Sequence, residues 1–319
     1  METKVHVGID ISKNSFNASI PVKTKEGYKH LKYSNDIDGF KKFIAQLEPG
    51  NNCIMEASGV YYLQLALFLH DQGMIVSVVN PLTIKRFSQM RLMRAKTDKK
   101  DASIIAEYGK IENPVQWEPR QEYMLQMQQL QALQDSFTKQ LTRLKNQKEA
   151  FVNSGIINKI GNEILDIEIK HNENKIEDLD NELLKITEEF HSDLFKRLVT
   201  IKGIGKKAAM CLIVISNGFK KFENSKQLSA YIGLSPRIFE SGTSVKGKAK
   251  ICKMGMARMR KLLYLCAMRA ITCNKACMEM YARLKEKGKN GKLAIIAVAN
   301  KLLKQAFVIG NSQMIYQEF

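Results

Sequence analysis

Apolar and polar positions follow three different rhythms along the chain. In the first, short β-branched runs are interleaved with helical spacings. Lys4–Ile11 (KVHVGIDI) is an apolar run closing on Asp10, followed by a polar turn at Ser12, Lys13 and Asn14. Phe16–Val22 and Gly27–Ser34 read as two more strands, giving a meander. Asn35 or Asp36 can cap a helix reaching Leu47, in which Phe40, Phe43, Ile44 and Leu47 recur at helical spacing. Asn52–Ala57 is a buried strand with Glu56 near its carboxyl end, and Tyr61–Gln72 is an apolar helix stopped by Gly73. Met74–Val79 is another strand, and Pro81 opens a basic segment leading into a helix at Asp98. Three strands followed by helix, strand, helix, strand, helix predict a mixed α/β sheet with its later strands parallel. Chemistry in such sheets gathers at the carboxyl ends of the strands, where Asp10 and Glu56 fall.

The second rhythm covers 118–192, which has no proline after Pro119 and only Gly155 and Gly161 as glycines. Leu130, Leu133, Phe137, Leu141 and Leu144 form one helical stripe. After a break near Asn153–Asn158, Ile176, Leu179, Leu183, Ile186 and Phe190 alternate three-four-three-four, a coiled-coil seam. The prediction is a helical hairpin, serving either to dimerise or only to fold on itself. The third rhythm, 193–319, is mainly helical and begins with LVTIKGIGKKAAMCLI (198–213), two glycines between apolar helices. This resembles a helix-hairpin-helix element, whose turn can present backbone N–H groups, with Lys202, Lys206 and Lys207 beside it, to a phosphate; a plain helix connection is an equal alternative. A loop-rich stretch around Pro236, Gly242, Gly247 and Gly255 follows, and helices resume at Met256–Cys273 and Leu293–Val308. The expected domains are therefore 1–117, 118–192 and 193–319.

Charge sharpens this division. Residues 193–319 carry 25 Lys+Arg against 6 Asp+Glu, a net of +19, whereas 1–192 sum to −1. A one-sided excess of this size is the footprint of a polyanion. A membrane surface would instead call for an amphipathic helix with exposed aromatics, and the single tryptophan, Trp117, lies outside the basic part. No run approaches eighteen apolar residues and the N-terminus lacks a secretion-signal layout, so a soluble cytoplasmic protein is expected. Six cysteines without CxxC pairs read as reduced, buried thiols; Cys273 and Cys277, expected on one helical face, make a weak zinc case.

Two acids at Asp98 and Asp101, in KTDKKDASIIAEYG, would project from one face of a helix, one turn apart. The plainer reading is complementarity to the helix dipole. Together with Asp10 and Glu56 they make a set of hard oxygen donors suited to Mg²⁺ (or Mn²⁺), and two such ions can stabilise both oxygens exchanged at a phosphodiester. Ser241 sits within the cationic loop, where Arg237, Lys246, Lys248, Lys250, Lys253, Arg258 and Arg260 could neutralise phosphates. A serine hydroxyl needs a base or a metal to attack, and all five histidines (6, 30, 70, 171 and 191) lie far upstream. Activation by a metal held on the acidic domain would solve this. The plainer reading of Ser241 is a turn residue.

These residues carry a resemblance. Asp10 in VGIDISKN, Glu56 in IMEASGVY, Asp98 and Asp101 in KTDKKDA, and then GLSPRIFESG (233–242) with ICKMGMARMR (251–260) are similar to the motifs of DEDD-type transposases of the insertion-sequence one-hundred-ten family, which includes Piv-like DNA invertases. The likeness spans nearly the whole chain, with SVKGKAK departing from the pattern. It implies a RuvC-like, RNase H-type first domain, a coiled-coil insertion and a C-terminal transposase domain with Ser241 as nucleophile. It also implies donor and target DNA as substrates and a structured noncoding bridge RNA as guide; the coiled-coil seam, for its part, motivates a homo-oligomer with a composite site. Rival readings are a RuvC-like junction nuclease acting by hydrolysis and a non-catalytic nucleic-acid-binding scaffold.

Overall fold

The computed structural model describes residues 5–22, 27–92, 97–237, 240–241, 245–246, 250–251 and 255–317, the stretch from 237 to 250 by its backbone alone. The chain forms two compact units, Met1–Pro119 and Arg120–Phe319.

In the first unit, β1 (His6–Ile11), β2 (Ser15–Pro21) and β3 (Tyr28–Ser34) make an antiparallel meander. α1 (Ile37–Ile44) starts where the Asp36 side chain accepts from the Gly39 N–H at 2.8 Å. β4 (Asn52–Glu56), α2 (Leu63–Asp71) and β5 (Ile75–Val79) follow, then α3 (Pro81–Met90) and α4 (Asp98–Glu112). The sheet order is β3-β2-β1-β4-β5, with β1, β4 and β5 mutually parallel. Val7, Ile9, Cys53 and Met55 pack with Phe40, Phe43, Leu65 and Leu69 on the face covered by α1 and α2. The other face is covered by α3 and α4, through Ile54, Ile84, Phe87, Ile104 and Ile105.

The second unit opens with the expected hairpin, α5 (Glu122–Asn153) and α6 (Lys159–Val199). Leu183 and Ile186 of the seam are buried, whereas Phe190 is exposed and stacks on Tyr123 with ring centroids 4.0 Å apart. Leu130, Phe137, Leu141 and Leu144 of the stripe expected on α5 are half-buried, though none fully. Leu133 is exposed and the buried positions are Met124, Met127, Gln131 and Gln134. The two glutamines are inside because they serve a polar node described below. Towards the turn, Lys145–Glu173 (2.7 Å) and Lys148–Asp166 ion pairs join the two helices.

Beyond the hairpin come α7 (Lys206–Ser216), α8 (Ser225–Ile232), α9 (Ala257–Cys273), α10 (Lys275–Glu286) and α11 (Gly291–Gly310). α8 and α10 lie in stretches where sequence periodicity gave no helix. The chain leaves the helical conformation at the buried Asn274, so Cys273 and Cys277 sit on successive helices and not on one face. Asn274 donates to the Lys202 carbonyl at 3.1 Å and accepts from the Cys277 N–H and the Tyr316 hydroxyl, each at 3.2 Å. Burial pushes the Cys53 thiol up to about 12 and that of Cys277 to about 11, which makes both unreactive; Cys252 lies outside the described residues. α11 is long and apolar enough to cross a membrane, but Val298, Ala299, Leu302, Leu303 and Ala306 are wholly buried in the core of this unit.

α6 is interrupted once, at His191 (φ −140°, ψ 28°). The Tyr123 hydroxyl lies 3.2 Å from His191 Nε2. Burial, with Lys220 nearby, holds this imidazole below its usual pKa. A base depressed in the fold binds its proton more readily when unfolded, so its contribution is complete above about pH 6.5 and lost as pH falls below that value. The unfolding midpoint in urea is expected to drop on acidification from about pH 7.5 to about pH 5.5, and less so in His191→Gln.

Candidate active site and nucleic-acid interface

Parallel pairing sets Ile9 beside Met55, so one residue further on Asp10 and Glu56 stand level on neighbouring strands, about 4.8 Å apart in the sheet. Both lie at strand carboxyl ends, and alternation puts them on the face opposite Ile9 and Met55, the face that α4 covers. The placement of α4 follows from missing side chains. A methyl group at Gly8 would lie 2.0 Å from the Ala102 carbonyl oxygen and 2.3 Å from the Ala106 nitrogen. One at Gly109 would meet Ile54 Cδ1 at 1.7 Å and His6 Cβ at 3.3 Å. The helix therefore rests backbone to backbone on β1 and runs against it. Its first turn, which carries Asp98 and Asp101, extends past Gly8 towards the end of the strand where Asp10 sits.

Thr97 caps α4, its hydroxyl accepting from the Lys100 N–H at 3.4 Å. Asp98 is exposed, while Asp101, Asp10 and Glu56 are half-buried. Ser58 donates to a Glu56 carboxylate oxygen, which orients that side chain. All four acids thus share one edge and one face. Their donors are the hard oxygens a divalent cation takes, although among the described residues no three or more acidic, histidine or cysteine side chains are drawn together closely enough to hold an ion.

The Ser241 segment is a nested ribbon. β6 (Pro236–Arg237) pairs with β9 (Lys250–Ile251), and within it β7 (Glu240–Ser241) pairs with β8 (Val245–Lys246). Ser241 lies opposite Val245. The ribbon is closed at its root. Gly255 (φ +134°) packs against the end of α8, where a methyl group would come within 2.7 Å of the Ile232 carbonyl oxygen and 2.8 Å of that of Tyr231. Arg260 donates to the same Ile232 oxygen at 2.9 Å.

The remaining basic candidates divide by environment. Arg258 is held internally: it pairs with Asp135 at 2.9 Å and donates to the Gln131 carbonyl at 2.6 Å and to the Gln134 amide oxygen. Gln134 donates in turn to Asp180, which also pairs with Lys207. This node ties the hairpin to α7 and to the start of α9. Lys206 is exposed at the first turn of α7. Lys202 is exposed at the glycine turn, which closes on α9 where Gly203 meets Ala270. Arg237, Lys246 and Lys250 lie on the ribbon backbone, while Lys248 and Lys253 fall outside the described residues. Sequence reasoning missed Lys221, Phe222 and Tyr231, an aromatic and basic cluster whose signal was the string FKKFENSKQLSAY.

The second unit's strong positive charge suits a polyanionic ligand. Comparison with known proteins makes the class definite. A DEDD transposase family model of the IS110 type matches residues 7–155, and a second, described as transposase of the IS116/IS110/IS902 family, matches 195–282. The pilin gene-inverting protein of Moraxella lacunata is 30% identical over 321 residues, covering 96% of each chain, and that of Moraxella bovis is equally similar. The transposase for insertion sequence element IS1328 of Yersinia enterocolitica is 23% identical across 98% of each chain. The class is that of DNA transposases and site-specific recombinases, which cut and rejoin DNA. Within it, the chain belongs to the IS116/IS110/IS902 family of transposases.

Arg258→Ala leaves Asp135 and Gln134 without their shared partner and should cost about 1–3 kcal/mol of stability by urea denaturation. Arg258 spends its charge inside the protein, so the salt dependence of DNA binding, measured on the same variant, should keep its slope.

Proposed function

We propose that this transposase is a site-specific recombinase that moves or inverts a DNA segment through a serine–DNA covalent intermediate. What carries the reading is the arrival of Asp10 and Glu56, level on adjacent strands, beneath the helix whose first turn bears Asp98 and Asp101. Acids this far apart in the chain share an edge for a reason beyond helix-end electrostatics. Mg²⁺ or Mn²⁺ bound by them would supply Lewis-acid stabilisation of phosphate oxygens. The RuvC-like, RNase H-type reading of this unit is supported by its sheet order and by the DEDD family.

In this reading the Ser241 oxygen attacks a DNA phosphorus and the bond to one deoxyribose oxygen breaks. The departing oxygen takes the serine proton, and a phosphoserine retains the phosphoryl group. The free hydroxyl of a second strand reverses the step, so no water is consumed. Arg237, Lys246 and Lys250 on the ribbon, with Lys248, Lys253 and Arg260 along the same segment, supply positive charge for the phosphates; Lys202 and Lys206 serve the DNA further out, while Lys207 is held by Asp180. A structured bridge RNA as guide belongs to the reading as well, and the +19 excess of residues 193–319 is compatible with it. In this reading the chain divides into a RuvC-like part (1–117), a hairpin (118–192) and a basic transposase part (193–319), the last two sharing one core.

Incubated with Mg²⁺ and a supercoiled or synthetic junction substrate, the protein should yield a covalent adduct stable to denaturant. Ser241→Ala and Asp98→Asn should each lower adduct yield by on the order of 10³-fold or more. Cleaved, unlinked ends from Ser241→Ala would identify a hydrolytic nuclease instead. Recombination surviving in Asp98→Asn, with only salt-dependent binding at stake, would leave a scaffold.

The hairpin supports a homo-oligomer. Ile156, Ile160 and Ile167 near its turn are 85%, 68% and 67% exposed, and Ile164 is 55% exposed, an apolar stripe that a second copy would cover. Ile160→Asp with Ile164→Asp should shift the mass seen by light scattering to that of a monomer, with the thermal midpoint of the monomer fold unchanged.

A further inference from the structure

The turn from α7 into α8 carries Lys220, Lys221, Phe222 and Glu223, Lys226 lies in the first turn of α8, and α8 ends at Tyr231 and Ile232. Phe222 is anchored against the core of the second unit. Tyr231 lies against it, ring centroids 5.2 Å apart, and is itself 42% exposed. The Lys221 ammonium sits 3.9 Å from the Tyr231 centroid and 5.4 Å from that of Phe222, held over both rings by their negative faces. The acid of this stretch is turned aside: Gln227 donates to Glu223 at 3.1 Å, and the Glu223 N–H donates back to Gln227 at 3.0 Å. Among the described residues, no carboxylate pairs with Lys220, Lys221 or Lys226.

This shelf stands at the root of the Ser241 ribbon. The Tyr231 and Ile232 carbonyls are the surface on which Gly255 packs, Arg260 fixes Ile232, and the first ribbon strand begins at Pro236. An exposed ring beside unpaired cations suits a ligand with flat faces and closely spaced negative charge, which is an unpaired nucleotide strand. A duplex buries its base faces in its own stack and could use only the lysines.

We propose that Tyr231, supported by Phe222, stacks one unpaired base of a DNA strand, and that Lys221 and Lys226 hold the adjoining phosphates. The incoming base displaces the Lys221 ammonium from the ring onto the phosphate beside it. Lys220 adds charge along the same path. Strand exchange opens the duplex around the cut, and a shelf rooted next to the ribbon would keep the opened strand from re-pairing. That role rests on the Ser241 reading; the binding does not.

The test is therefore a binding measurement in full-length Ser241→Ala protein without divalent cation, so that neither transesterification nor metal-dependent hydrolysis consumes the probe. A mixed-sequence DNA single strand of about twenty nucleotides and its duplex are titrated by fluorescence anisotropy. Tyr231→Ala should weaken single-strand binding roughly ten-fold and leave duplex binding within about two-fold, and Tyr231→Trp should restore the single-strand affinity. Lys221→Gln with Lys226→Gln should reduce the salt slope for the single strand by about 1.4, or about 0.7 per phosphate. Unchanged single-strand affinity in Tyr231→Ala overturns the proposal, as does an equal loss on the duplex. A loss confined to an RNA strand of the same sequence also overturns it. A circular dichroism melt of each variant separates loss of the shelf from loss of the fold; should Tyr231→Ala melt early, the lysine pair and Tyr231→Trp decide the matter. Failure of these measurements leaves the covalent-adduct experiment untouched, and failure of that experiment leaves these binding constants interpretable.

Discussion

The backbone of α4 rests directly on the backbone of β1 at Gly8, and the acidic edge depends on it. No side chain separates the two elements there, so the helix axis is set by main-chain contact and not by the packing of larger groups, which can settle in several ways. Gly109 repeats the contact against Ile54 and His6. Two contacts along one helix fix both its distance and its direction. Asp98 and Asp101 arrive at the end of β1 as a consequence, and parallel pairing independently delivers Glu56 to the same level as Asp10.

In the second unit the equivalent work falls to polar groups. Arg258 lies just beyond the ribbon and reaches back to Gln131, Gln134 and Asp135 on the hairpin, while Arg260, two residues later, holds the end of α8. A segment of short two-residue strands has little core of its own, and its two ends are fixed by charged side chains that reach other helices. Charge-assisted bonds to a carbonyl or carboxylate are stronger than neutral ones, which suits a place where apolar area is scarce.

Much of this was readable in the residues, for identifiable reasons. Strand carboxyl ends are marked by where β-branched runs stop, so Asp10 and Glu56 could be placed at a sheet edge before any geometry. Asp98 and Asp101 follow from helical spacing. The hairpin is legible because its apolar positions repeat for many turns. Arg258 was not legible as an internal residue, since nothing in a basic string announces a partner more than a hundred positions upstream. Gln131 and Gln134 looked like surface for the same reason: an amide gives no sign that it will be buried until its acceptor is known. α10 was missed because Asn274 both ends one helix and caps the next, so a single buried amide replaced the usual glycine or proline marker. Tyr231 went unread because α8 is too short to show a helical period beside the loop-rich stretch, and only its exposure and the lysine over its ring single it out.

The break at His191 has a mechanical consequence. From that residue to Ile160 the helix runs thirty-one residues, about 46 Å at 1.5 Å per residue. A change of about 10° in the bend would sweep the far end through about 8 Å, since displacement grows with the length of the arm. Leu183 and Ile186 in the core and the Gln134–Asp180–Lys207 node pin the arm's first turns beyond the break, so the break fixes the angle at which the arm departs and with it where the exposed isoleucines at the tip stand.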